Sequence, residues 1–264
     1  MSQEPKLPDV DRDTPNAARM YDYLLGGSHN FAADRAATER IKADMPWFPE
    51  AARANRYFLN RAVRFCVGEG IDQFLDLGSG IPTAGNVHEA ARRLDPGARV
   101  AYVDNEPVTV ASATALLDGD PHATITAADL RDPDAVFAAP GVRDLLDLSR
   151  PVALLTVAVL MFVPDEDDPA GILRRYRSRL APGSIHVLTH GTADHDAEQV
   201  RSLTNVYRTT ANPAVARTKA QVAELFGDTE LVEPGLVDAT DWRPDDHGSS
   251  AQHRGYWAGA GRIA

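Results

Sequence analysis

Apolar side chains recur at Ala17, Met20, Tyr21, Leu24 and Leu25, a spacing that lays one stripe along a helix. Thr14-Pro15 ahead of the stripe reads as an N-cap with proline at the first helical position, and Gly26-Gly27 as its end. A second helical stretch runs from about Ala33 to Asp44, "MPWFPE" interrupts it, and a third runs from about Glu50 to Val67. The pattern then changes. Short apolar runs, "QFLDLG" (73–78), "RVAYVDN" (99–105), "ATITAADL" (123–130), the start of "PVALLTVAVLMFV" (151–163) and "SIHVLTHGT" (184–192), alternate with helical stretches at 87–94, 107–117, 133–148 and 168–180. Strict alternation of this kind predicts a parallel sheet with helices on both faces.

The end of the chain is built differently. "TKAQVAELF" (218–226) opens with a capping box from Thr218 to Gln221. "ELVEPGLVDA" (230–239) and "RGYWAGAGRI" (254–263) are both strand-like, and only a polar loop with Pro and Gly joins them. With no helix for a crossover, they are expected to pair as an antiparallel hairpin at one edge of the sheet. The expected organisation is a loose polar tail over 1–13, a helical N-terminal extension over 14–70 and one α/β domain over 71–264.

Composition narrows the partners. The 264 residues carry a formal charge of −11, which counts against a general nucleic-acid binder, whose basic face would displace counterions. No apolar run approaches the ~20 residues of a membrane span, and no secretory signal pattern opens the chain. The single cysteine, Cys66, makes no internal disulfide and reads as a buried small hydrophobe, so a cytoplasmic location is expected. A small-molecule substrate fits this balance better than a membrane or nucleic acid.

The chemistry concentrates at the ends of the first three strands. "FLDLGSGIPTAGN" (74–86) runs from a strand into a turn with Gly78, Ser79 and Gly80. A dinucleotide motif would place a third small residue at Thr83, beside Pro82, which weakens that reading. Asp76, two residues before Gly78, would repel a pyrophosphate and suits an ammonium group instead. S-adenosylmethionine carries an ammonium group and a sulfonium and no phosphate. Asp104, followed by Asn105, ends the second strand, where a carboxylate accepts from ribose hydroxyls. Asp129-Leu130 ends the third, with a carboxylate for the adenine amino group and a backbone N–H for a ring nitrogen.

These residues, with "ARMYDYLLGGSHNFAADR", "QFLDLGSGIPTAGNVHE", "RVAYVDNEPV", "PVALLTVAVLMFVPDEDDP" and "PGSIHVLTH", resemble the class I S-adenosylmethionine-dependent methyltransferases. More narrowly, they resemble an actinobacterial methyltransferase family long catalogued as a domain of unknown function. The resemblance covers the chain from about residue 14 to its end. It implies a Rossmann-like, doubly wound, seven-stranded sheet whose last two strands are the hairpin. It also implies that Asp76, Gly78, Gly80, Asp104 and Asp129 line the site for S-adenosyl-L-methionine. Met161 stands where histidine is common in that family.

Catalytic residues are harder to find. His190, ending the fifth strand, is the candidate general base, with His29 and His195 weaker candidates in loops. No Asn/Asp-Pro-Pro-aromatic motif follows the fourth strand, which counts against a nucleobase acceptor. "DEDD" (165–168) precedes a helix whose dipole it complements, so no metal is expected there. "YDYLLGGSHNFAADR" (21–35) is expected to fold over the strand ends as a lid, with Tyr21, Tyr23, Gly26, Gly27 or Asn30 against the cofactor. Two other functions compete with a methyltransferase: a non-catalytic binder of the same cofactor, acting as sensor or scaffold, and an NAD-dependent oxidoreductase.

Overall fold

The computed structural model describes residues 10–81, 85–194, 196–245 and 255–264, so Pro82, Thr83 and His195 lie outside the described residues. Three helices come first: α1 (Ala17–Leu24), α2 (Ala32–Asp44) and α3 (Phe48–Gly68). Five strands follow, β1 (Gln73–Leu77), β2 (Arg99–Asp104), β3 (Ala123–Ala127), β4 (Ala153–Val157) and β5 (Ile185–Gly191). Between them come α4 (Val87–Arg92), α5 (Pro107–Leu116), α6 (Pro133–Ala138), α7 (Pro140–Arg143) and α8 (Pro169–Arg177). The chain ends with α9 (Ala197–Tyr207), α10 (Lys219–Phe226), β6 (Glu230–Leu231), β7 (Val237–Asp238) and β8 (Tyr256–Arg262).

The sheet order is β3-β2-β1-β4-β5-β8-β6, with the first five strands parallel and β8 antiparallel to β5, β6 and β7. The expected penultimate strand over 230–239 is two short strands, because Glu233-Pro234-Gly235 interrupts it. Seven positions across the sheet remain, as the resemblance implies. Strand order reverses between β1 and β4, the switch point where ligands bind in such sheets.

Each parallel strand is apolar on both faces because both faces are covered. Phe74, Val100, Ala153 and Ile185 pack toward α3 and α4, while Leu75, Ala101, Leu154 and Leu188 pack toward α6, α8 and α10. The first core takes in Phe58, Leu59, Ala62, Val63 and Cys66 of α3, so the core runs unbroken across the expected boundary at residue 70. Helices α1 and α2 form a smaller cluster of their own with Phe48, Ala52 and Tyr207.

Two local expectations are corrected. Asn16, not Thr14, caps α1, its side chain accepting from the Ala18 and Arg19 N–H groups. And the stretch 193–217, to which the pattern assigned no element, contains α9, capped by Asp196. The box at Thr218 and Gln221 is present.

Candidate active site

A cavity of about 500 Å³ opens at the carboxyl ends of β1 to β4, within the size range of small-molecule sites. Its floor is the turn after β1. Gly78 and Gly80 both have left-handed backbones, φ +65° and +66°, which glycine adopts without strain. A Cβ on Gly78 would meet Val159 Cγ2 at 2.1 Å, so glycine here lets the turn pass under the loop after β4. A Cβ on Gly80 would enter open space, leaving the backbone free for close approach by a ligand.

Asp104 organises this turn. Its Oδ2 accepts from the Gly80 N–H at 2.8 Å and its Oδ1 from the Glu106 N–H at 2.9 Å. A carboxylate has about four acceptor positions, so part of its capacity is left for hydroxyl donors in the cavity. Burial pushes the Asp104 carboxyl up to about 6, against the lowering effect of the Glu106 and Gly80 N–H groups. Asp76, two residues from Phe74 on the same strand, faces the α3 side of the sheet. The residue is 5% exposed, and burial pushes its carboxyl up to about 7, opposed by the Arg56 guanidinium and reinforced by Asp104. Buried acids left with spare acceptor capacity and facing one cavity fit a ligand that brings hydroxyl and ammonium donors. The open space at Gly80 fits it as well.

Asp129 and Leu130 line the same cavity beyond the end of β3. Asp129 is clasped by Arg131, with Nη2–Oδ2 at 2.6 Å, and that ion pair holds its carboxyl below the ordinary range. Arg131 also reaches Asp167 at 2.9 Å, joining the β3 end to the loop after β4. In "DEDD", Asp168 caps α8, Asp167 pairs with Arg131 and Asp165 with Arg217, so these acids diverge rather than converge on one ion.

The cavity roof comes from two distant segments. From α1 and its caps come Asn16, Ala17, Tyr21 and Leu25; from the end of α9 and the chain after it come Tyr207, Asn212 and Val215. Asn212 Oδ1 accepts from Asn16 Nδ2 at 2.9 Å and from the Ala17 N–H at 3.2 Å. Buried Arg19 ties the roof to the floor, donating to Asp34 at 2.9 Å and to Glu106 at 3.1 Å. α9 was missed, although Ala197, Val200, Leu203 and Val206 recur at helical spacing behind a capping Asp196.

The residues at the end of α1 divide. Tyr21 lines the cavity, its hydroxyl donating to the Ala52 carbonyl at 3.0 Å. Tyr23, Gly26, Gly27 and Asn30 are not among the lining residues, which corrects the expectation for them. The Tyr23 hydroxyl donates to Glu39 on the far side. The 26–30 loop instead wraps around buried Asp22, which accepts from the His29 N–H and from Asn30 Nδ2, both at 2.9 Å. A Cβ on Gly27 would strike Asp22 Oδ1 at 1.9 Å.

His190 is also corrected. It does not line the cavity, it is fully buried, and both ring nitrogens are engaged. Nδ1–H donates to the Gly191 carbonyl at 2.8 Å, and Nε2 accepts from Arg217 Nη1 at 3.0 Å. Burial pushes the imidazole down to about 4. A neutral ring with no free nitrogen cannot take a proton from a substrate; its role is to hold the loop after β4 through Arg217.

The model of a family described as S-adenosyl methyltransferase matches residues 3–264. The chain belongs to this S-adenosyl methyltransferase family. It is an S-adenosylmethionine-dependent methyltransferase, and S-adenosyl-L-methionine is its cofactor. The chain is similar to two solved structures over nearly the whole length of each. One is a DUF574 family protein from Streptomyces avermitilis, 38% identical, with a TM-score of 0.92, covering 96% of this chain and 99% of that one. The other is a candidate methyltransferase from Thermobifida fusca, 40% identical, with a TM-score of 0.91 and 99% of each chain covered. Human N-acetylserotonin methyltransferase, solved with the cofactor, shares 17% identity at a TM-score of 0.51 and supports the fold alone; 92% of this chain and 62% of that one are covered. The comparison with curated proteins returned no match. Among the described residues of this S-adenosyl methyltransferase, no helix is long and apolar enough to cross a membrane.

Proposed function

We propose that the methyl acceptor is a small molecule held between the Gly78–Gly80 floor and the two-segment roof. The observation that carries this reading is the roof itself. α1 and the 207–215 segment lie over the strand ends and are joined by Asn16 and Asn212, bounding a cavity of about 500 Å³. Beyond the acids, the lining includes Leu25, Met161, Phe162 and Val215, an apolar surface suited to an organic acceptor.

In this reading Asp104 accepts from the ribose hydroxyls, and Asp76 faces the cofactor's ammonium group. Asp129 faces the adenine amino group, with the Leu130 N–H beside it. Ser79 and Asn105 complete the walls. The cofactor, when bound, supplies an electrophilic methyl group on a sulfonium. The chain's own contribution is orientation and exclusion of water, which supply much of the rate of an in-line transfer. α1 serves as the lid, through Tyr21 and its C-cap Leu25.

Transfer of label from methyl-tritiated S-adenosylmethionine into a cell extract, fractionated by size, tests this proposal. Label in the small-molecule fraction is the expected result. Label confined to protein or nucleic acid overturns the small-molecule reading. Tight cofactor binding with no labelled product in any fraction favours a sensor or scaffold instead.

A further inference from the structure

Arg56 is a charged residue facing the cavity that no motif announces. It projects from α3 and lines both the main cavity and a narrow recess beneath the Gly78–Gly80 turn, together with Asp76, Ser79 and Gly80. Its Nε is buried and has no hydrogen-bond partner, and Nη2 makes only a long contact to Asn86 Oδ1 at 3.4 Å. The buried Arg19 and Arg217 are bound more fully. Arg19 engages Asp34, Glu106 and the Thr14 carbonyl, and Arg217 engages Asp165, His190 and the Leu160 and Val163 carbonyls. A buried guanidinium N–H without an acceptor is costly, and the side chain that carries it lines the cavity.

Across the recess is Asp76. Arg56 acts on it electrostatically, yet among the described residues no hydrogen bond or salt bridge joins them. A carboxylate and a guanidinium thus face one space, separated and each open to a further partner. That is the complement of an α-amino acid, which presents an ammonium and a carboxylate on one carbon. The cofactor ends in such a group. Arginine's planar fork suits a carboxylate better than any other side chain.

We propose that Arg56 binds the α-carboxylate of the cofactor's methionine end while Asp76 binds its α-ammonium, a two-residue clamp on the zwitterion. The proposal rests on the orientation given above, in which Asp76 faces the ammonium. The clamp makes the amino-acid end, and not only the nucleoside, a determinant of what enters. Arg56 also approaches the turn from outside the sheet, so α3 helps to position the cofactor as well as filling the core.

The test compares S-adenosylmethionine with decarboxylated S-adenosylmethionine, which keeps the ammonium and the sulfonium and lacks only the carboxylate. Titration calorimetry on the full-length protein is expected to show that removing the carboxylate weakens binding by roughly ten- to a hundred-fold. Arg56→Gln is expected to weaken S-adenosylmethionine by a similar factor and to leave the decarboxylated ligand within about two-fold, with Arg56→Lys recovering part of the loss. A general structural defect would weaken both ligands together, and that result overturns the clamp. Equal binding of both ligands by the unmodified protein also overturns it, even if the variants do not fold. Failure of the unmodified protein to bind either ligand overturns the cofactor orientation itself, a separate outcome.

Discussion

Two buried polar centres lie along the same edge of the sheet, and they are finished differently. At the end of β5, His190 and Arg217 use every facing atom: the ring bonds Gly191 and Arg217, and Arg217 fans out to Leu160, Val163 and Asp165. At the ends of β1 and β2, Asp76 and Asp104 are also buried, yet Asp104 keeps acceptor capacity unused. A saturated network holds structure, whereas an unsaturated one at a cavity waits for a ligand. Chain position alone does not tell them apart, because both are polar residues at strand ends.

Removing Asp104 should break the ligand side of this comparison most strongly. On the proposed orientation, Asp104→Ala deletes the acceptor for both ribose hydroxyls; at about 1.5–3 kcal/mol for each bond to a charged group, affinity for S-adenosylhomocysteine should fall at least roughly ten-fold and up to about a thousand-fold. Circular dichroism should show the fold retained. An unchanged dissociation constant would remove the ribose assignment.

The saturated centre should respond in stability rather than in ligand affinity. Arg217→Ala strips donors from the Leu160 and Val163 carbonyls and from His190 Nε2. The loss is expected to be about 2–5 kcal/mol, or a melting temperature lower by roughly 5–15 °C. His190→Gln should follow in the same direction with a smaller drop. If His190→Gln melts within a degree or so of the parent, the ring is not holding the loop.

The smallest effect sharpens the contrast through pH. The Asp76 and Asp104 carboxyls, ordinarily near 3.8, are raised to about 7 and about 6 in the folded ligand-free chain. Between pH 4 and 7 the unfolded chain therefore binds fewer protons at these groups, and their contribution to stability, complete below about 4, is lost as pH rises. His190, lowered from 6.5 to about 4, works in reverse: its contribution is complete above 6.5 and is lost as pH falls toward 4. Calorimetric melting across this range should show Asp76→Asn removing part of the first slope and His190→Gln the second. A ligand ammonium favours ionised Asp76, so affinity for S-adenosylhomocysteine should be about ten-fold higher at pH 8 than at pH 6, and flatter in Asp76→Asn. Identical pH profiles for the two proteins would show that Asp76 does not face the ammonium.

Much of the architecture was legible because it rests on local rules. Alternating strands and helices, the capping box at Thr218 and the hairpin-like tail each follow from a few neighbouring residues. The 193–217 stretch also carries a helical pattern behind Asp196, which its polar, loop-like flanks obscure. The end of α1 misled for another reason. Gly26-Gly27 beside Ser28, His29 and Asn30 has the composition of a ligand loop, but the partner it wraps is Asp22, one turn back on its own helix.

By itself the sequence determined the sheet, its direction, and the three acids and two glycines at the strand ends, because strand period, burial on both faces and turn chemistry act over a few residues. Only the tertiary structure decided which polar groups face the cavity and which are consumed by the protein. Arg56 lies on α3, Asn212 beyond α9 and Asp76 on β1, and their juxtaposition depends on long-range packing that no local pattern encodes. The same packing gave Arg217 to His190, leaving that ring no nitrogen free for a substrate.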